Sequence, residues 1–223
     1  MYLDRNVWLT RYLTDTESAK LRDRIKIFVH EKNWEGIEGQ EINDEVKVTV
    51  AAQACLMLLG VEDFYFENVK SILMYPRSFI RQHEDGSFSH RAGEAWQGGP
   101  IALSWSDTLC GGRNEFNGRN LVIHEFAHAL DGLDGEMGGS ITFQDEATSK
   151  QWASMVTREF SELEIADRYG IPSVLDHYGA TNRAEFFAVA SESFFEQPEQ
   201  LHEEKPELFK LLKEYYKVDP THW

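Results

Sequence analysis

The chain has 223 residues, of which 42% are hydrophobic and 13% aromatic, so its composition excludes a disordered tail and favours a packed globular protein. Its 38 acidic and 22 basic residues give a net charge of -16, which disfavours binding to nucleic acid and to anionic membrane surfaces. It has only two cysteines, Cys55 and Cys110, and neither a signal-peptide pattern nor an apolar run long enough to span a bilayer, so a reducing, cytoplasmic environment is expected.

Apolar residues recur at helical spacing over most of the chain. The first predicted helix follows a capping box formed by Thr14 and Glu17, in which each residue satisfies a backbone N–H of the other. Further helices are predicted over 43–59, around 124–128, and over 144–166, 183–196 and 206–220.

Strands are predicted in the middle of the chain, over 69–75 and 100–105, where short apolar runs are bounded by proline or glycine. The segment 81–99 between them is rich in glycine and charge and is predicted as a loop, with His83 and His90 as solvated residues. Together these elements predict a mostly helical α+β fold with a small sheet. We expect a single domain of residues 1–223, divided into two lobes around a cleft.

The segment HEFAH, residues 124–128, has the H-E-x-x-H spacing of a zinc-binding helix. Residues four apart lie on one helix face about 6 Å apart, so His124 and His128 could bind the same tetrahedral ion. Glu125 is rotated by about 100° from His124, which places its carboxylate beside the metal as a general base for a water molecule. The alternative is a buried helix with two hydrogen-bonded core histidines. We favour a metal, because it provides a partner for buried imidazoles that would otherwise be unsatisfied.

A third protein ligand is expected from the segment NRAEFFAVASESFFEQP, residues 182–198. Its apolar stripe predicts a helix packed against the HEFAH helix, and Glu185 and Glu192 lie two turns apart on roughly the same face. Spacing alone does not choose between these glutamates. Tyr178 lies seven residues before Glu185 and could donate a hydrogen bond to an oxyanion, although a loop tyrosine is more often structural.

HEFAHALD, followed about sixty residues later by AEFFAVASESFF, resembles the Mlc titration factor A family of bacterial zinc peptidases. TVAAQACLMLLG, SILMYP and GEAWQGGPIALSW resemble the same family, so the similarity covers about residues 34–199. Around the metal, this family is similar to the catalytic domain of anthrax lethal factor. The resemblance implies a zincin-like fold and one zinc ion per chain, bound by His124, His128 and Glu185. It further implies that Glu125 is the base and that Tyr178 stabilises the oxyanion.

The implied activity is hydrolysis of peptide bonds, with an aminopeptidase-like preference. The strand 100–105 is expected to lie exposed beside the HEFAH helix and to pair with extended peptide substrate. The resemblance also implies a regulatory alternative, in which the protein sequesters a transcriptional repressor of the Mlc type by protein contact. A metal-stabilised scaffold without turnover is disfavoured, because a closed structural zinc site needs neither Glu125 nor Tyr178.

The sequence departs from related zinc sites at one position. In sites of the gluzincin type, an acidic residue one turn after the ligand glutamate often orients a histidine, and here that position is Val189. Another partner for the imidazoles is expected. Asp131, Glu192 or a backbone carbonyl could serve, and the sequence leaves this choice open.

Overall fold

The computed structural model describes residues 2–62, 64–82, 88–96, 98–135, 138–143 and 145–223, with the backbone alone at residues 81, 82, 88–90 and 134. Within these ranges the α-helices are α1 (Tyr2–Asn6), α2 (Asp15–Glu31), α3 (Asp44–Leu56), α4 (Trp105–Arg113), α5 (Leu121–Asp131), α6 (Glu146–Tyr169), α7 (Arg183–Glu196), α8 (Pro198–Glu204) and α9 (Pro206–Tyr216). The strands are β1 (Asn33–Gly36), β2 (Ser71–Tyr75), β3 (Phe79–Gln82), β4 (Phe88–Arg91), β5 (Gly93–Ala95) and β6 (Ile101–Ser104). The predicted α+β class is confirmed. Among the described helices, none combines the length and apolar character needed to span a bilayer.

Polar side chains cap the N-termini of several helices. The capping box predicted at Thr14 is present, with the Thr14 side chain accepting from Glu17 N–H and the Glu17 side chain accepting from Thr14 N–H. Asparagine side chains cap the starts of three further helices by accepting a backbone N–H from the first turn. These N-cap residues are Asn43 for α3, Asn120 for α5 and Asn182 for α7.

The main sheet has four strands in the order β1-β2-β6-β5. Strands β1, β2 and β6 are parallel, and β5 pairs antiparallel with β6 in the register Glu94↔Ala102. All four residues of β6 are buried. The expectation of an exposed strand over 100–105 is therefore wrong, because β6 is an interior strand with both edges paired. The edge strand is β5 instead.

The segment 81–99 contains more regular structure than its sequence predicts. β3 and β4 form an antiparallel two-stranded ribbon, and β5 follows directly. Strands at an edge or in a two-stranded ribbon bury little apolar surface, so they need no alternating apolar pattern and escape a search for one. The backbone of His90 belongs to β4, whereas His83 lies outside the described residues.

Helices α5 and α7 pack against each other in the centre of the protein. The side chains of Phe126 on α5 and of Phe186 and Phe194 on α7 are fully buried, and every residue of α7 from Phe186 to Glu196 is buried. Most of the buried apolar residues between Val7 and Tyr216 form one cluster. This continuity agrees with the single domain expected for residues 1–223, which stays a prediction.

Candidate metal centre

Helix α5 presents both histidines of the HEFAH segment on one face. Asn120 fixes the start of the helix, since its Oδ1 accepts a hydrogen bond from Ile123 N–H at 3.1 Å. One turn apart, the rings of His124 and His128 have centroids separated by 4.9 Å. His128 and Glu125 are buried, so the polar face of α5 is largely shielded from solvent.

Helix α7 brings Glu185 to the same point. Asn182 caps α7 and accepts a hydrogen bond from Glu185 N–H at 3.0 Å, which fixes this glutamate in the first turn. Glu185 Oε2 lies 3.0 Å from His124 Nε2 and 3.3 Å from His128 Nε2. The structure therefore brings together the three residues for which the sequence predicts metal binding.

These three residues fit a zinc ion. One potential ligand atom from each of His124, His128 and Glu185 lies within 4.8 Å of the others. Two ligand atoms that each lie about 2.0–2.1 Å from a tetrahedral zinc ion are about 3.3 Å from one another, which matches the nitrogen–oxygen distances above. Two imidazoles and one carboxylate also form a donor set of catalytic zinc sites, in which a fourth position stays open for water or substrate.

Glu185 and His124 each shift the pKa of the other. Burial opposes ionisation of Glu185, but hydrogen bonds with both imidazoles hold the pKa of its carboxyl well below the usual range. Burial likewise opposes protonation of His124, yet the charge of Glu192 and the hydrogen bonds with Glu185 and Glu192 raise its pKa well above the usual value. The site thus favours positive charge between its carboxylates, as a cation site must.

Glu125 lies against the edge strand β5. A methyl group added at Gly93 would lie 2.6 Å from Glu125 Oε1 and 2.8 Å from Leu121 Cδ1, so the backbone of β5 touches the side chain of the expected base. Burial raises the pKa of the Glu125 carboxyl. Glycine at position 93 is required by this close approach, a signal that the sequence alone did not single out.

The outer edge of β5 lies next to this glutamate. Ser104 N–H donates to Ala92 C=O at 2.8 Å, and Trp96 N–H donates to Pro100 C=O at 3.3 Å. Because hydrogen bonding alternates along an antiparallel pair, the backbone groups of Gly93 and Ala95 point away from β6. No strand within the described ranges pairs with this outer edge.

Tyr178 lies at the opposite side of the site, in the 3-10 helix His177–Ala180. Its hydroxyl donates to Glu185 Oε1 and accepts from Arg91 Nη1, each at 3.3 Å. Asp176 accepts a hydrogen bond from Tyr178 N–H at 2.9 Å and also accepts from Arg119 Nε at 2.8 Å. The phenol is therefore held near the ligand atoms, although 44% of Tyr178 is exposed. Arg91 was not predicted, because 87 residues separate it from Tyr178 and no local pattern connects them.

The predicted partner for the imidazoles is resolved in favour of Glu192. Its Oε1 lies 2.7 Å from Nδ1 of His124. Asp131 instead accepts a hydrogen bond from Gly139 N–H at 2.9 Å. For His128, no described residue forms a hydrogen bond with Nδ1.

The sequence matches one protein family and is similar to named relatives over most of its length. A sequence model of the family described as glucose-regulated metallo-peptidase M90 matches residues 1–217. An uncharacterized protein of Synechocystis sp. is 34% identical over 217 residues, which cover 93% of this chain and 79% of that protein. Proteins named Mlc titration factor A from Salmonella agona and Escherichia coli O7:K1 are each 30% identical over 219 and 222 residues, which cover 94% and 93% of this chain and 82% of each relative. The chain belongs to the family of glucose-regulated metallo-peptidases M90.

Proposed function

We propose that the protein is a zinc-dependent peptidase in which His124, His128 and Glu185 bind one zinc ion per chain. The observation that carries the proposal is the convergence of these three side chains beside the buried Glu125. When bound, zinc supplies Lewis-acid polarisation of the scissile carbonyl and lowers the pKa of water. A carboxylate next to such a centre is needed for hydrolysis and not for structural support, which favours an enzyme over a scaffold.

Glu125 is proposed as the general base. It takes a proton from the attacking water and then delivers that proton to the leaving amine, so one carboxylate serves both halves of the reaction. Its contact with Gly93 restricts the side chain to the space between α5 and β5. We propose that this packing holds the carboxylate towards the reacting carbonyl.

Tyr178 is proposed to stabilise the oxyanion. Its hydroxyl donates to Glu185 Oε1 at 3.3 Å, and a small rotation of the phenol would redirect this hydrogen bond to a substrate oxygen. Burial and the charge of Glu185 raise the pKa of the Tyr178 phenol, so it keeps its proton at neutral pH and can donate it.

The substrate is proposed to be an extended peptide bound along the outer edge of β5. The backbone groups of Gly93 and Ala95 face this edge and could pair with a peptide backbone, a common mode of peptide recognition. An aminopeptidase-like preference is the finer part of the proposal. It predicts that amino-acid anilides are cleaved faster than the same anilides with an acetylated amino group.

The substitution Glu125→Gln tests the mechanism, because it keeps the size of the side chain and removes the base. We expect zinc content, measured by mass spectrometry, to stay at one ion per chain while hydrolysis of amino-acid anilides falls about 10²–10⁴-fold. The matched control is Glu164→Gln on the exposed face of α6, which should leave both unchanged. Cleavage by Glu125→Gln at the rate of the parent protein would refute the mechanism.

A second function is favoured by the names of the relatives. Proteins called Mlc titration factor A are similar over most of this chain, so binding of a transcriptional repressor of the Mlc type is proposed as an alternative or additional role. Both roles fit the expected cytoplasmic location. The two cysteines, which are free thiols, agree with a reducing environment of that kind. Retention of a repressor by the parent protein and by a His124→Ala/His128→Ala double variant would show that such binding is independent of the metal. Failure of the parent protein to retain it would exclude this role.

A further inference from the structure

A buried carboxylate lies directly behind the proposed metal ligand His124. Glu192 Oε1 is 2.7 Å from His124 Nδ1, and Glu192 Oε2 accepts a hydrogen bond from Asn120 N–H at 2.5 Å. Asn120 is the N-cap of α5, so the Glu192 side chain contacts both the imidazole and the N-cap residue of the helix that carries it. Glu192 is only 7% exposed, and each of its two carboxylate oxygens contacts one residue at or in α5.

The spacing on α7 explains how two glutamates reach one imidazole. Glu185 and Glu192 are seven residues apart, which is two helical turns, so they lie on the same face of α7. Glu185 meets Nε2 of His124 and Glu192 meets Nδ1, so the ring lies between them. The residue one turn after Glu185 is Val189, which is buried and packs near Gly179, and it cannot perform this role.

We propose that Glu192 is the positioning residue of the metal site. By accepting a hydrogen bond from Nδ1, the carboxylate fixes the proton of His124 on that nitrogen and leaves the Nε2 lone pair directed to the metal. By accepting from Asn120 N–H, it also fixes the start of α5 relative to α7. This inference rests on the proposed zinc site and adds to it the residue that orients one of its ligands.

A second buried acid supports this arrangement. Glu196, one turn after Glu192, accepts hydrogen bonds from Asn120 Nδ2 at 2.9 Å and from Trp8 Nε1 at 3.1 Å. Burial raises the pKa of the Glu196 carboxyl to about 8, so this residue carries a proton at neutral pH. A protonated Glu196 does not repel the carboxyl group of Glu192, so both acids can be buried one turn apart.

The test is the zinc affinity of Glu192→Gln and Glu192→Ala, measured by competition with a chromogenic chelator. Loss of a carboxylate behind a ligand histidine weakens zinc binding about 10–100-fold, and we expect this loss for both variants. Glu159→Gln is the matched control, because Glu159 is also 7% exposed but forms an ion pair with Lys205. It should lower thermal stability without changing zinc affinity.

A spectroscopic readout separates positioning from a general loss of packing. In the zinc-loaded parent protein, proton NMR should show one strongly deshielded imidazole N–H, from Nδ1 of His124 hydrogen-bonded to a carboxylate, and Glu192→Gln should shift it upfield. Absence of this signal in the parent protein would overturn the inference even where a variant fails to fold. Parent-like zinc affinity in both Glu192 variants would also overturn the proposed positioning role. The peptidase function is tested separately by Glu125→Gln, so it can hold even if the role of Glu192 fails.

Discussion

The two sides of the candidate site are built in different ways. On the helix side, α5 and α7 carry Glu125, His128 and Glu192, each at most 7% exposed and surrounded by the core. On the opposite side, Tyr178 is 44% exposed and is held by contacts of 3.3 Å with Glu185 and Arg91. The geometry of the proposed metal ligands is therefore fixed by core packing, whereas the group proposed to contact substrate is fixed by a few polar contacts.

This difference predicts that substitutions on the exposed side change catalysis without changing metal binding or stability. The largest such effect is expected for Tyr178→Phe, which removes only the hydroxyl. Loss of one oxyanion donor lowers kcat about 10²–10³-fold. Zinc affinity and the unfolding midpoint should stay at the values of the parent protein, because exposed substitutions usually change stability by less than about 0.5 kcal/mol.

Steady-state kinetics and thermal unfolding of the zinc-loaded proteins check this prediction. The matched control is Tyr169→Phe, a tyrosine at the end of α6 that is 71% exposed. It should retain full activity. A Tyr178→Phe protein that loses zinc would mean that the phenol supports Glu185 and that the two sides are not independent.

The contrast also explains how much of the site the sequence could predict. His124, Glu125 and His128 belong to one short motif on one helix, so local spacing brings them together. Tyr178 and Glu185 are seven residues apart, and their proximity to the motif followed from family resemblance. The structure places both close to His124, and their roles remain proposals.

What the sequence could not predict depends on contacts between distant segments. Spacing put Glu185 and Glu192 on one face of α7 but could not show that His124 lies between them, since that depends on the depth at which α7 packs on α5. The edge strand β5 was missed for a related reason. Its three residues have too little apolar pattern to predict a strand, and only pairing with β6 reveals one.

A smaller effect is expected at Gly93, which packs against the helix side of the site. In Gly93→Ala the new methyl group would lie 2.6 Å from Glu125 Oε1 and 2.8 Å from Leu121 Cδ1, so one of these packed side chains must move. Overpacking of this kind costs about 1–3 kcal/mol of unfolding free energy. Activity should fall more than zinc affinity, because the displaced group is the proposed base and not a proposed zinc ligand.

Chemical denaturation measures the unfolding free energy, chelator competition measures the zinc affinity, and hydrolysis of an amino-acid anilide measures the activity. Gly138→Ala is the control, since no described atom lies within 4 Å of the methyl group it would add. Equal losses of activity and zinc affinity in Gly93→Ala would contradict the view that Gly93 packs against the proposed base and not against a proposed zinc ligand.

The most gradual effect is a pH dependence of stability that belongs to the helix side. Burial raises the pKa of Glu196 to about 8, from an ordinary value near 4.5. Between these two pH values the folded protein keeps a proton that the unfolded chain has lost. This contribution to the free energy of unfolding is therefore fully present below pH 4.5, declines by up to about 1.4 kcal/mol per pH unit, and is lost above pH 8.

Glu196→Gln isolates this contribution because the amide keeps the volume of the acid and cannot ionise. The difference in unfolding free energy between parent and variant should shift in favour of the variant as pH rises from 5 to 8, and then become constant. Groups common to both proteins, including the proposed zinc ligands, cancel in this difference. Parallel stability curves between pH 5 and 8.5 would mean that Glu196 titrates alike in the folded and the unfolded protein, which would contradict a pKa raised by burial.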